Sequence, residues 1–299
     1  MNRKIRITEV GPRDGLQNEK KIIPADIKIQ FIKKLMNAGF HSLEVTSFVR
    51  PDMIPQLSDA LQVSEAFSSE EKKGFSVLVP NKKGYYGALE AGFRNIAVFT
   101  AASSEFTKKN INRTVEESLD IIQEVCELAA ADSVRVRGYV STVIDCPYSG
   151  RVSPKSVLKV VQRLSDMGAA EISLGDTIGT GTPLQVRELL ELILNKFSPD
   201  YFAMHFHDTY GMAIANAAES LKYNISHFDS SSGGLGGCPY AKGASGNLAT
   251  EDLIYFLKGS GYETDSDLLK TVEASSFIEE KLERKLNSKT YQAMISKMK

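Results

Sequence analysis

Eight short β-type runs alternate with longer amphipathic stretches, and nothing else in the chain restricts its fold so tightly. The runs are Ile5–Val10, Ser42–Thr46, Phe75–Val79, Asn95–Thr100, Val134–Val140, Glu171–Leu174, Tyr201–His207 and Ser226–Ser230. Their starts lie roughly 30 residues apart, the length of one βα unit. The helix signals between them are local and specific. In Asp26–Met36 the apolar residues Ile27, Phe31 and Leu35 recur every four positions, with Ile32 and Met36 beside them. Thr114-Val115-Glu116-Glu117 has the form of a capping box, and Val115, Leu119, Ile122, Cys126 and Ala129 then share one face. Ser153-Pro154 and Thr182-Pro183 each set a capping residue before a proline at the first helical position, and Gln185 completes a second box with Thr182. Eight strands alternating with eight helices predict an α/β fold, a (β/α)8 TIM barrel of about 250 residues. An open doubly wound sheet is the competing solution. Residues 264–299 exceed what a barrel requires, and Leu268, Leu269, Val272, Phe277, Ile278 and Leu282 predict additional C-terminal helices there, packed outside or used in dimerisation. The whole of 1–299 is expected to form one domain.

Of the 299 residues, 42% are hydrophobic and 24% charged, which excludes disorder and coiled coil as the main architecture. Lys plus Arg number 36 against 37 for Asp plus Glu. That balance leaves no basic excess to neutralise a phosphate backbone, so nucleic acid is not expected as a partner. No apolar run approaches the roughly 20 residues that span a bilayer, so no membrane is expected either. Three scattered cysteines cannot build a disulfide framework and suit a reducing compartment. The N-terminal Met1-Asn2-Arg3-Lys4 meets polar residues too soon for a signal peptide, and Ser296-Lys297-Met298-Lys299 carries no address signal. A cytoplasmic location is the expectation.

In a (β/α)8 barrel the chemistry gathers at the C-terminal ends of the strands, so the residues just after each run matter most. The first run leads into Gly11-Pro12-Arg13-Asp14-Gly15-Leu16-Gln17. The seventh ends in His205-Phe206-His207, and residues i and i+2 of a strand share a face, so both imidazoles point into one site while Phe206 faces the helices. These are two of only four histidines in the chain. After the eighth run come Gly233, Gly234, Gly236 and Gly237, four glycines within five residues and read as a mobile loop, with Cys238 at its end and Asn247 farther on. Asn247 has two readings, as a cap for a helix starting at Leu248 or as an oxygen ligand. Together Asp14, His205, His207 and Asn247 supply oxygens and nitrogens suited to Mg²⁺ or Mn²⁺, with octahedral positions left over for a chelating substrate.

Arg-Asp-Gly-Leu-Gln at 13–17, the His-x-His pair and the stretch GGLGGCPYAKGASGNLATED carry a family resemblance. From Ile5 to about Leu257 the chain resembles the metal-dependent lyase and aldolase barrels related to isopropylmalate synthase, and most closely the 3-hydroxy-3-methylglutaryl-CoA lyases among them, in a bacterial cytoplasmic form. The C-terminal helices suggest a homodimer, and the resemblance implies a single catalytic barrel and a small-molecule CoA-thioester substrate. It implies retro-Claisen cleavage to acetyl-CoA and acetoacetate, chemistry of the leucine-degradation and ketone-body type. By position it makes Arg13 the stabiliser of the enolate oxygen, with Arg13 and Gln17 binding substrate. Cys238 becomes the general acid delivered by loop closure, and Glu44 and Asp176 supporting carboxylates. Asp176 and His205 are both candidates for the base. A condensing synthase or ketoacid aldolase of the same group, and a barrel that binds a CoA ester without turning it over, remain as alternatives.

Other polar residues read more blandly. Cys126 falls on an apolar helix face, Cys146 reads as packed at the rim, His41 as solvated and His227 as a satisfied interior histidine. Lys108–Arg113 is either a solvated basic segment or a contact for the CoA phosphates.

Overall fold

A computed structural model of the chain describes residues 3–237 and 246–298. Eight parallel strands close into a barrel: β1 (Arg6–Glu9), β2 (Leu43–Ser47), β3 (Phe75–Leu78), β4 (Asn95–Ala101), β5 (Arg135–Ser141), β6 (Glu171–Asp176), β7 (Phe202–Phe206) and β8 (His227–Ser230). Strand neighbours follow sequence order, and β1 joins β8 and β2 to complete the ring. Each strand expected from the sequence is present, with ends displaced by one or two residues. Tyr201 leaves the seventh strand for a short 3₁₀ turn, Pro199–Tyr201.

Helices α1 (Ala25–Asn37), α2 (Ala60–Glu65), α3 (Lys82–Glu90), α4 (Ser104–Ile111), α5 (Val115–Ala131), α6 (Pro154–Asp166), α7 (Pro183–Leu194), α8 (Ala213–Lys222) and α9 (Thr250–Gly259) surround the barrel. Both expected capping boxes form, Thr114 with Glu117 and Thr182 with Gln185, and Ser153 accepts from Ser156 N–H to cap α6. Two features were not legible in the sequence. One is α4, an extra helix between β4 and α5, which carries exposed Lys108 and Lys109. The other is a hairpin after β5, Asp145–Cys146 against Gly150–Arg151.

The core divides into two regions of different chemistry. Between strands and helices lies a continuous apolar shell that includes Phe31, Val77, Val98, Leu174, Phe206, Phe228 and Leu257. The barrel interior is polar over much of its depth, and its apolar part is a small cluster of Leu78, Ala97 and Tyr139 with Phe99 against it. In place of the branched aliphatics usual in such barrels, Arg137, Glu171, Ser173, His227 and Asp229 are buried here. They satisfy one another: His227 meets Thr8 Oγ1 at 2.7 Å and Glu171 Oε2 at 3.0 Å. His41 is exposed and Cys126 buried, as expected.

Beyond α9, helices α10 (Leu268–Leu282) and α11 (Lys289–Met298) pack against α1 and α9. They also reach the barrel rim. Asn287 and Ser288 donate their backbone N–H groups to the Gly233 carbonyl at 2.9 and 3.1 Å. Glu251, at the start of α9, accepts Gly233 N–H and the Ser275 hydroxyl of α10. Burial lifts the Glu251 pKa to about 7 against the hydrogen bonds that pull it down, with nearby Glu9 adding to the rise.

The folded chain therefore keeps a proton on Glu251 that the unfolded chain gives up near pH 4.5. Its stabilisation is complete below that pH and is lost as pH rises through about 7, on the order of 3 kcal/mol in all. Urea unfolding of Glu251→Gln and the parent chain at pH 5 and pH 8 checks this. The variant should gain about 1–3 kcal/mol relative to the parent between those pH values, and parallel curves would assign the titration elsewhere.

Candidate active site

After β1 the chain turns tightly through Gly11–Gly15, a single π-helical turn in which Arg13, Asp14 and Gly15 all donate N–H to the Val10 carbonyl. The turn aims Arg13 and Asp14 over the barrel mouth. The Arg13 side chain is 7% exposed, its Nε donating to Glu44 Oε1 on β2 and its Nη1 to Asp14 Oδ1 at 2.6 Å. Burial opposes the charge of Arg13, but Glu44 and Asp14 outweigh it and hold its pKa above the usual range. Gln17 follows, half-buried at the rim.

His205 and His207 come from β7 and its end, their Nε2 atoms 3.4 Å apart, and His205 Nε2 lies 3.8 Å from Asp14 Oδ2. One ligand atom from each of Asp14, His205 and His207 fits within 4.8 Å of the others. Burial works against the Asp14 charge, yet Arg13 and the two imidazoles bring its pKa down to about 2. Burial, together with His205, lowers the His207 pKa to about 4, so its imidazole is neutral at physiological pH. His207 Nδ1 is buried with no hydrogen-bond partner among the described residues. An ionised carboxylate facing two imidazoles, one of them with an orphaned nitrogen, is a donor set that suits a divalent cation.

Asn247 reaches the cluster by strand pairing. His207 and Asn247 form an antiparallel bridge, Leu248 N–H binds the Phe206 carbonyl at 2.8 Å and Asp208 N–H binds the Gly246 carbonyl at 3.1 Å. The capping reading is corrected: α9 begins at Thr250, and its cap residue is Ala249, because this extended pairing occupies 246–248. Asn247 Nδ2 donates to Asp14 Oδ2 at 2.8 Å and to the Leu235 carbonyl at 3.0 Å. To ligate through oxygen the amide would turn over and give up both bonds.

Glu44 belongs to the site, one oxygen on Arg13 and the other accepting from Tyr139 at 3.0 Å. Asp176 stands apart. It pairs in register with Phe206, so its side chain shares the outward face of that residue. Its Oδ2 accepts Gly181 N–H at 2.9 Å and its carbonyl accepts His207 N–H at 3.4 Å. Burial raises the Asp176 pKa to about 6. His205 has no nitrogen to spare for a base, since Nδ1 meets Asp229 Oδ2 at 3.2 Å while Nε2 faces the cluster.

Gly233 and Gly234 form a buried turn, Ser232–Gly234, clamped by Glu251, Asn287 and Ser288. The two glycines of the expected mobile loop nearest β8 are thus a fixed root, and Gly236 and Gly237 extend from it. A Cβ on Gly246 would stand 1.9 Å from the Gly234 carbonyl, so the two chain segments approach as only glycine allows. Cys238 lies outside the described residues. Cys146 is buried at the rim and receives the Ser103 hydroxyl at 3.1 Å.

Four contributors were missed in the sequence: Glu9, Arg137, Tyr139 and Asp229. Glu9 accepts Gly11 N–H at 2.8 Å, Ser232 N–H at 3.0 Å and the Thr250 hydroxyl at 2.7 Å, and so ties together the segments that carry Arg13, the glycine loop and Asn247. The period of two along β5 and β8 places Arg137, Tyr139 and Asp229 on the inward face and was the available signal.

A family model described as HMGL-like matches residues 4–278. The chain is 49% identical over 291 residues to a mitochondrial hydroxymethylglutaryl-CoA lyase of Bos taurus, covering 97% of this chain and 90% of that protein. Its fold superposes on the crystal structure of hydroxymethylglutaryl-CoA lyase from Pseudomonas aeruginosa with a TM-score of 0.96, at 44% identity and 99% coverage of both chains. It also superposes on an HMG-CoA lyase from Acinetobacter baumannii in complex with coenzyme A and 3-methylmalate. There the TM-score is 0.92 and the identity 33%, with 97% of this chain and 95% of that one covered.

His207→Ala should keep the fold and lower Mn²⁺ affinity by more than the roughly 100-fold ceiling typical of a lost supporting group. Titration calorimetry measures this, and unaltered affinity would remove the cluster as a metal centre. Gly246→Ala should cost the site its Asn247 contact and weaken Mn²⁺ binding together with thermal stability.

Proposed function

Because the chain belongs to the hydroxymethylglutaryl-CoA lyase family, we propose that it cleaves 3-hydroxy-3-methylglutaryl-CoA to acetyl-CoA and acetoacetate, as a carbon–carbon lyase. The observation that carries this is the meeting of Asp14, His205 and His207 beside Arg13, under the root of the glycine loop. Asp14, His205 and His207, with Asn247 as a fourth, would hold Mg²⁺ or Mn²⁺. When bound, such an ion supplies Lewis acidity toward the oxygens of the substrate.

In the cleavage the C3 hydroxyl gives up its proton and the C2–C3 bond breaks. C3 becomes the ketone carbon of acetoacetate, and the bonding pair passes to the thioester enolate. Arg13, held rigid by Glu44 and Asp14, stabilises the charge developing on the enolate oxygen, as a preorganised donor does. Gln17 completes the substrate pocket. Cys238, which follows the glycines after Ser232–Gly234 in the sequence, protonates C2 and yields acetyl-CoA; that role rests on the sequence. The hydroxyl proton passes to the Asp14 carboxylate, the ionised acceptor of the cluster, and not to His205 or Asp176. His205 is committed to ligation, and the Asp176 carboxyl accepts Gly181 N–H from the loop that follows it.

Residues 1–299 act in this reading as one catalytic domain with 264–299 as its helical extension. The extension's hold on Gly233 supports that unity. The chain pairs in this reading as a homodimer, for which the exposed Tyr255 and Leu269 on α9 and α10 supply apolar surface. The two buried, unpaired thiols Cys126 and Cys146 suit the reducing cytoplasm.

The test is acetoacetate release from 3-hydroxy-3-methylglutaryl-CoA with Mg²⁺ or Mn²⁺, repeated with chelator. Release should depend on the metal, and Arg13→Gln should lower kcat by about 10²–10³. Cys238→Ala should also lower kcat, and near-normal turnover in that variant would shift the reading to a condensing synthase or ketoacid aldolase. Absence of cleavage from folded, reduced protein with either metal would discard this substrate.

A further inference from the structure

Resting on the metal-dependent reading above, we infer that Arg137, one layer below the metal centre, is the positioning residue that orients both His205 and Arg13. A guanidinium carries donors and no acceptor. Each hydrogen bond it makes therefore fixes the direction of the next one along the chain of contacts.

Toward the metal centre, Arg137 Nη2 donates to Asp229 Oδ1 at 2.6 Å. The other Asp229 oxygen is left for the Ser173 hydroxyl at 2.7 Å and for His205 Nδ1 at 3.2 Å. An ionised carboxylate only accepts, so the proton of a neutral His205 belongs on Nδ1. The lone pair is then on Nε2, the nitrogen that faces His207 and Asp14. A second partner of this kind is what holds a ligating imidazole in one tautomer and one orientation.

Toward Arg13, Arg137 Nη1 donates to the Tyr139 oxygen at 3.1 Å. With that oxygen accepting, the Tyr139 proton goes to Glu44 Oε2 at 3.0 Å, and Glu44 keeps Oε1 for Arg13 Nε. Tyr139 is also in contact with both guanidinium groups, 5.0 Å from Arg137 and 5.6 Å from Arg13 to the ring centroid. At the barrel floor, Arg137 Nε stands 2.8 Å from Glu171 Oε1, which anchors the side chain from below. One buried side chain thus faces three buried partners, and two of them lead to different halves of the site.

Lysine at 137 keeps the charge and loses the fork that reaches Asp229 and Tyr139 together. Three variants separate positioning from bulk stability: Arg137→Lys, Arg137→Gln and, as a control, Arg135→Gln. Arg135 also approaches Glu171, at 3.5 Å, from the exposed floor of the barrel. Imidazole ¹H–¹⁵N spectra of the metal-free parent should show His205 protonated at Nδ1, and the Arg137 variants a mixture of tautomers. Mn²⁺ affinity should fall about 10- to 100-fold in the Arg137 variants. The kcat should fall with it while KM for the thioester stays within about threefold, and Arg135→Gln should match the parent in all three readouts. A folded Arg137→Lys chain with the parent's tautomer and Mn²⁺ affinity would overturn the inference. Should both Arg137 variants fail to fold, Asp229→Asn carries the test, and unchanged Mn²⁺ affinity in that variant would equally overturn it. A parent chain that binds Mn²⁺ without cleaving the thioester would discard the proposed substrate, and the spectra and Mn²⁺ titrations would still decide the role of Arg137.

Discussion

Burying a guanidinium in a low-dielectric core costs several kcal/mol unless carboxylates stand beside it, and Arg137 is 4% exposed between Glu171 and Asp229. Each of these groups is tolerable only because the others are present. Asp229 is held ionised by Arg137 and His205 in spite of its burial, and Glu171 by His227, Arg137 and Arg6. The barrel therefore closes around a column of charge, and the side chains at its mouth take their orientation from that column. An aliphatic interior would pack as well, but it would leave His205 free to choose its tautomer and Arg13 free to swing.

The rim uses the same economy of partners. Glu9 has only two oxygens, yet it accepts from Gly11, Ser232 and Thr250, on three chain segments. Those segments carry Arg13 with Asp14, the root of the glycine loop, and the approach to α9. A shift in one is resisted by the others through a single buried carboxylate. The C-terminal extension closes the arrangement from outside, since Asn287 and Ser288 hold the Gly233 carbonyl and Leu286 fills the space where a Cβ on Gly233 would stand. An element that reads in the sequence as an appendage is part of the loop's foundation.

The barrel was legible because its signals are local. Runs such as Asn95–Thr100 and capping boxes such as Thr114–Glu117 are set by a few adjacent residues and survived folding nearly unchanged. The meeting of Asp14, His205 and His207 was legible for a related reason: chemically unusual residues at strand ends have few other uses at a barrel mouth. The helix start expected at Leu248 lies instead at Thr250, because the bridge to His207 that brings Asn247 beside Asp14 and keeps residues 246–248 extended joins positions 40 residues apart in the chain. Asp176 was expected at the site from the family resemblance alone, and its register with Phe206, which sets the face its side chain takes, is fixed by a neighbouring strand and not by its own stretch of sequence. Arg137 and Asp229 passed unnoticed because their partners lie on strands remote in sequence.

The sequence by itself determined the alternation of strands and helices, the number of strands and the residue types gathered at their C-terminal ends, all of which follow from periodicity and from steric rules acting within a few residues. Tertiary structure alone decided which oxygen of Asp229 meets which nitrogen, which way Tyr139 points its proton, and that Gly233 is fixed by the connection between the chain's last two helices. Those outcomes depend on hydrogen-bond directions among buried groups, and such directions exist only once distant strands stand side by side in a medium that forbids unpaired charge.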